Sequence, residues 1–168
     1  MILIDTREKR IEHIERYFTD NNVEYSLQKL DTGDYMNTEH PEIIIDRKQN
    51  LDECAHNLNS ADSSRFWREL RRAHEEKVKL VFLVEHGGRI KCFDDVLSWT
   101  SRYSARITGR RVANEMFKAH AAYGVDWKFC RKQDTAKRIL EILQYDSRGD
   151  KAGNINAGPN EAVRDTNP

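Results

Sequence analysis

Asp46 and Lys48 stand two residues apart at the end of a run of three isoleucines, and Asp34 closes the upstream turn cluster Asp31-Thr32-Gly33-Asp34. Side chains two apart on a strand share a face, so Asp46 and Lys48 project together toward whatever Asp34 presents. Two facing carboxylates repel unless a cation neutralises them, and hard oxygen donors suit Mg2+ or Mn2+. Such an ion polarises a phosphoryl oxygen and lowers the pKa of a bound water. A lysine alongside orients or deprotonates that water and offsets the developing negative charge. The pattern D…(D/E)-x-K is therefore a workable core for phosphodiester hydrolysis, with Asp34 and Asp46 as metal ligands and Lys48 as the orienting base. Taken alone it is common by chance, because a strand end carrying solvated charges reads the same way.

These residues need strands to hold them. Apolar runs predict strands at 2–4, 23–30, 42–46, 78–85 and 125–130, with 78–85 the most hydrophobic and central. Helical periodicity predicts helices at 9–21, 51–58, 63–76, 109–123 and 134–145, and a short amphipathic piece at 93–99. Strands alternating with helices predict an α/β fold, a central mixed β-sheet flanked by helices on both faces. From residue 147 apolar residues nearly vanish and Gly, Asn, Asp and Pro dominate, which predicts one domain over 1–146 and a disordered tail over 147–168.

Bulk properties exclude little. The 28 basic and 28 acidic residues cancel, so only the distribution of charge argues for a polyanionic partner. Arg65, Arg68, Arg71 and Arg72 make one basic stretch and Arg102, Arg106, Arg110 and Arg111 another, each either a phosphate contact or a solvated face. Cys54, Cys92 and Cys130 form no C-x-x-C pair, so neither a zinc site nor a disulfide framework is expected. No apolar run reaches the roughly 20 residues a bilayer span needs. An intracellular location, without a signal peptide, is the expectation. The six histidines share no ligand spacing and read as bystanders.

The order of the charged residues says more than the triad. The first strand ends Asp5-Thr6-Arg7-Glu8, the turn carries Gly33-Asp34-Tyr35, and the third strand ends Asp46-Arg47-Lys48 with Asp52 four residues on. This set resembles the XPF-type nuclease domain, or ERCC-four domain, of structure-specific endonucleases, within the PD-(D/E)XK superfamily. That family's hallmark is G-D…E-R-K-x-x-x-D after a strand ending D-x-R-E. Ser64-Arg65 resembles the family's G-R step, and the strand ending at Glu85 resembles its L-L-V-E strand, so the resemblance covers residues 1–145. Two positions depart from it: Asp46 replaces the motif glutamate, and Glu69 stands where the family often has glutamine. Glu69 reads as an i,i+4 partner for a neighbouring base rather than a further metal ligand.

The resemblance implies a restriction-endonuclease-like fold and a metal-dependent endonuclease acting on branched, flap or fork DNA in repair or recombination. It implies a homodimer or heterodimer through the nuclease domain, for which the apolar stripes of 109–123 and the last helix are the candidate surfaces. Family members usually carry a tandem helix-hairpin-helix module next. Nothing after Tyr145 forms one, which implies reliance on a partner or dimer, or weaker selectivity. Asp5 and Glu8 are expected as acidic lining and a possible second metal site, Asp5 as a further ligand; alternatively Glu8 caps the following helix. Arg7 either grips a phosphate or pins the carboxylates. Arg47 aligns with the motif arginine and counts among the catalytic candidates. Lying between Asp46 and Lys48, however, it should point away, and packing or salt-bridging on the opposite face is its rival reading. Asp52 either holds Lys48 or Arg47 or caps the next helix, and Tyr35 packs. The rival class is a non-catalytic DNA-binding or partner-organising module, against which the retention of every charged motif position argues.

Overall fold

The β-branched run Ile43-Ile44-Ile45 builds β4 (His40–Lys48), flanked on one side by β5 (Lys79–Glu85) and on the other by β3 (Tyr35–Asn37). The computed structural model describes residues 1–59, 63–87 and 89–146, so the expected tail lies outside the described residues. The remaining strands are β1 (Ile2–Ile4), β2 (Tyr25–Leu27) and β6 (Asp126–Cys130), and the sheet order is β2-β1-β3-β4-β5-β6. β4, β5 and β6 run parallel, β3 is antiparallel to both β1 and β4, and β1 pairs with β2 in parallel. The sheet is mixed, as expected.

Both faces are covered. Helices α2 (Leu51–Asn59), α3 (Ser63–Glu75), α4 (Phe93–Val96) and α5 (Gly109–Tyr123) lie on one face, where Leu51, Phe66, Leu70, Val96 and Met116 pack with Ile44, Phe82 and Val84. Helices α1 (Glu12–Asp20) and α6 (Thr135–Ile142) cover the other, with Ile14, Phe18, Ala136 and Ile139 packed on Ile4, Ile45 and Leu83. The alternation along β4 decides this division: Ile44 faces one cluster and Ile45 the other. Each fully buried large side chain contributes about 1.5–3 kcal/mol, so the two clusters carry the fold.

Three sequence expectations change. The strand expected at 23–30 is only three residues long, because Tyr25–Leu27 is an edge strand with exposed flanks. β3 was not expected at all; it is a three-residue strand completed by pairing on both sides. The stripe Val112, Met116 and Ala119 of α5 is consumed in this chain's own core, as is Ile139 of α6, so those faces are not free for a partner.

Candidate active site

Asp34 is held by backbone on every side. Its N–H donates to Ile45 O at 2.7 Å, its C=O accepts from Asp5 N–H at 2.8 Å, and its Oδ2 accepts from Arg47 N–H at 2.8 Å. Gly33 makes this approach possible. Its φ of +66° lies in the left-handed region, and a Cβ there would sit 2.3 Å from Ile44 Cγ2 and 2.8 Å from Ile45 O. The turn therefore lies flat on β4 and delivers Asp34 beside Asp46.

Asp46 and Lys48 share one face of β4, as their spacing predicts, and Lys48 Nζ lies 2.5 Å from Asp46 Oδ1. Both are buried. Burial acts to lower the Lys48 pKa, but the Asp46 carboxylate more than reverses this, so the side chain is held as an ammonium. As an ammonium, Lys48 can donate to and orient a water or a phosphate oxygen. Burial, then the charge of Asp46, pushes the Asp34 pKa well up.

Arg47 points through the sheet, as its place between Asp46 and Lys48 requires. Its side chain is fully buried, with Nε donating to Glu8 Oε1 at 2.5 Å, Nη1 to Glu85 Oε1 at 2.8 Å and Nη2 to Lys9 O at 2.6 Å. His13 Nε2 lies 2.9 Å from the same Glu85 oxygen. Glu85 and His13 are thus parts of the support that the sequence did not pair: Glu85 was marked only by the resemblance at the end of β5, and His13 was read as a bystander.

Of the other motif residues, Asp5, Arg7 and Tyr35 meet one of their expectations, and Glu8 and Asp52 do not. Asp5 lines the same cavity as Asp34 and Asp46, and its two oxygens accept from Arg7 N, Nε and Nη2 and from Leu30 N–H, at 2.6–2.9 Å. The Arg7 hydrogen bonds hold its pKa down at about 2. Arg7 therefore pins a carboxylate, the second of its two readings, and Nη2 also donates to Leu30 O at 2.6 Å. Glu8 is committed to Arg47, and the cap of α1 is Ile11 with no side-chain bond, so Glu8 neither caps nor lines a second metal site. Burial nevertheless raises its pKa. Asp52 holds neither Lys48 nor Arg47; its Oδ1 accepts from Ser101 Oγ at 2.6 Å and from Arg102 N–H at 3.3 Å. Tyr35 packs in the core, with its hydroxyl 3.4 Å from Glu8.

Asp34, Asp46 and Lys48 open into a cavity of about 1010 Å3. Its far wall is α3, which contributes Arg65, Arg68, Glu69 and Arg72. Arg72 reaches across to Asp31 O and Thr32 Oγ1, tying α3 to the turn that carries Asp34. Glu69 makes no ion pair among the described residues, so it lines the cavity rather than partnering a neighbouring base. His56 and Asn57 of α2 also line it.

The donor set fits a hard divalent cation. Among the described residues Asp46 Oδ1 is buried without an aligned hydrogen bond, with Lys48 Nζ 2.5 Å away, and burial, then the Asp46 charge, disfavours Asp34 as an anion. Among the described residues no group of three or more His, Cys, Asp or Glu side chains is placed to hold a metal ion. Two carboxylates suffice for Mg2+, which keeps several waters and takes its remaining ligands from substrate phosphates.

Comparison with known proteins agrees with this architecture. Two solved structures share the fold: XPF from Aeropyrum pernix and XPF from Aeropyrum pernix in complex with DNA. The first has a TM-score of 0.63 at 19% identity, covering 98% of this chain and 69% of that one. The second has a TM-score of 0.62 at 20% identity, covering 85% and 62%. Comparison with curated proteins gives no match. The family model described as ERCC4 domain matches residues 4–143, nearly the whole of the described chain. With the D-x-R-E strand, the Gly33-Asp34 turn and the D-R-K strand converging as one site, the chain belongs to the ERCC4 domain family.

Proposed function

We propose that this chain is a metal-dependent endonuclease that hydrolyses DNA phosphodiesters. The observation that carries the reading is the convergence of Asp34, Asp46 and Lys48 in one cavity whose opposite wall is lined by Arg65, Arg68 and Arg72. A polyanion enters such a cavity along the arginines and meets the carboxylates at its floor. Asp34 and Asp46 would hold Mg2+ or Mn2+, whose chemistry when bound would be charge neutralisation and polarisation of the phosphate. The Lys48 ammonium donates to a phosphate oxygen or to the attacking water and stabilises charge as it builds. Arg47, Glu8 and Glu85 act behind the sheet, fixing the strand end from which Asp46 and Lys48 project.

The preferred substrate is branched, flap or fork DNA, met in repair or recombination, and the chain acts as a homodimer or heterodimer. Support for these two statements is the family membership and the fold shared with an XPF bound to DNA. The test is incubation with labelled flap, fork and linear duplex DNA in Mg2+, Mn2+ or EDTA. Cleavage in either metal, fastest on flap or fork and absent in EDTA, is expected; no metal-dependent cleavage of any substrate overturns the reading.

A further inference from the structure

Residues 102–111, Arg-Tyr-Ser-Ala-Arg-Ile-Thr-Gly-Arg-Arg, hold four arginines and no acidic residue in a chain whose overall charge is zero. None of them lines the cavity. All four arginines are exposed, and none has an ion-pair partner among the described residues. Tyr103 is 86% exposed at the tip.

The segment is nonetheless built, not loose. Thr100 bridges Thr108, Ser101 N–H donates to Ile107 O at 3.4 Å, and Ile107 N–H donates to Ser104 O at 3.1 Å. Tyr103 N–H donates to Ser101 Oγ at 3.1 Å and Arg106 N–H to Ser104 Oγ at 3.3 Å. Gly109 closes the base, packed so tightly that a Cβ would lie 1.9 Å from Val96 O. Asp52 fixes the start of the loop through Ser101 Oγ and Arg102 N–H. Leu51 N–H, one residue before Asp52, donates to His86 Nδ1 at 3.4 Å, which sets the loop's anchor near the end of β5. The loop thus stands at the sheet edge where β4 and β5 end, the edge that carries Lys48.

We propose that residues 100–111 are a second nucleic-acid contact, outside the cavity, in which Tyr103 stacks on an unpaired base and Arg102, Arg106, Arg110 and Arg111 hold the phosphates beside it. The inference rests on the nuclease reading above. A solvent-exposed ring on a hydrogen-bonded loop, flanked by cations, is the chemistry that binds single strands without regard to sequence. Asp52 is in this view a positioning residue for the loop. Charge complementarity favours this occupant over a copy of the chain docked face to face, which would bring the same four arginines against themselves.

The test is fluorescence anisotropy with labelled fork DNA carrying a single-stranded arm, and with blunt duplex, both in EDTA. Tyr103→Ala should weaken fork binding by about 5- to 100-fold and duplex binding by less than about twofold, with Tyr103→Phe close to wild type. Arg102→Gln with Arg106→Gln should reduce the salt slope by about one to two. Equal fork affinity of Tyr103→Ala and wild type, or equal losses on fork and duplex, overturns the inference. So does a change in the sedimentation of free protein on Tyr103→Ala, which would assign the patch to a second copy of the chain. The nuclease reading fails separately, on absence of metal-dependent cleavage by the wild type.

Discussion

The main-chain N–H of Arg47 donates to Oδ2 of Asp34 at 2.8 Å. The residue whose side chain leaves the site is therefore the one that holds a site carboxylate in place. β4 works on both faces at once: Asp46 and Lys48 supply charge on one, Arg47 locks the strand on the other, and the peptide between them orients Asp34.

Asp34→Asn should stabilise the fold while removing activity. An unfolded aspartate ionises near 3.8, whereas burial and the Asp46 charge push the folded group well above that. Between the two values the unfolded chain loses its proton first, so stability falls as pH rises through this window. The variant lacks that loss. Thermal melting at neutral pH in EDTA should show a gain of about 0.5–2 kcal/mol, with cleavage down at least about 100-fold.

Asp5 gives the opposite sign. Arg7 holds it at about 2 in the folded chain, so its stabilisation is present above roughly 3.8 and is lost as pH falls through 2. Asp5 is 1% exposed but Arg7 56%, so solvent screening limits the contribution to about 1–2 kcal/mol. Urea melts of Asp5→Asn and wild type should differ at pH 6 and converge toward pH 2.

Lys48→Met strands the buried Asp46 charge. A stability loss of about 3–5 kcal/mol is expected in urea, with most of it recovered in the double variant Asp46→Asn/Lys48→Met. Equal losses in the single and double variants would mean that Lys48 acts by packing over Phe82, 5.6 Å from the ring centroid, and not by charge.

Gly33→Ala should cost about 2–3 kcal/mol, because φ is +66° and the new methyl meets Ile44 and the Ile45 carbonyl. It should also displace Asp34 and lower the cleavage rate, read as a fall in single-turnover rate at saturating metal.

The parts of the site set by local rules were legible in the sequence. Period-two alternation placed Asp46 with Lys48 and turned Arg47 away, and turn chemistry located Gly33-Asp34. Resemblance then added Asp5, Arg7, Glu8 and Asp52 as site positions, and of their partners only the Arg7–carboxylate pair was among the readings. Asp52 bonds to Ser101 and Arg102 some 50 residues downstream, and Arg47 to Glu85 and Glu8 across the sheet. Such pairs depend on sheet order and helix placement, which no local pattern records. β3 escaped for the same reason: three residues become a strand only because β1 and β4 pair with them. Glu69 was read from helix spacing as a salt-bridge partner, yet α3 turns it toward the cavity.

Asp46 is the residue on which the account turns, being neighbour to Asp34 in charge and to Lys48 in contact. Single-turnover cleavage of labelled fork DNA in Mg2+ by Asp46→Asn, beside the wild type, tests it most directly. A loss of at least about 100-fold, with DNA binding in EDTA retained, is predicted; cleavage at the wild-type rate would contradict the assignment of this site.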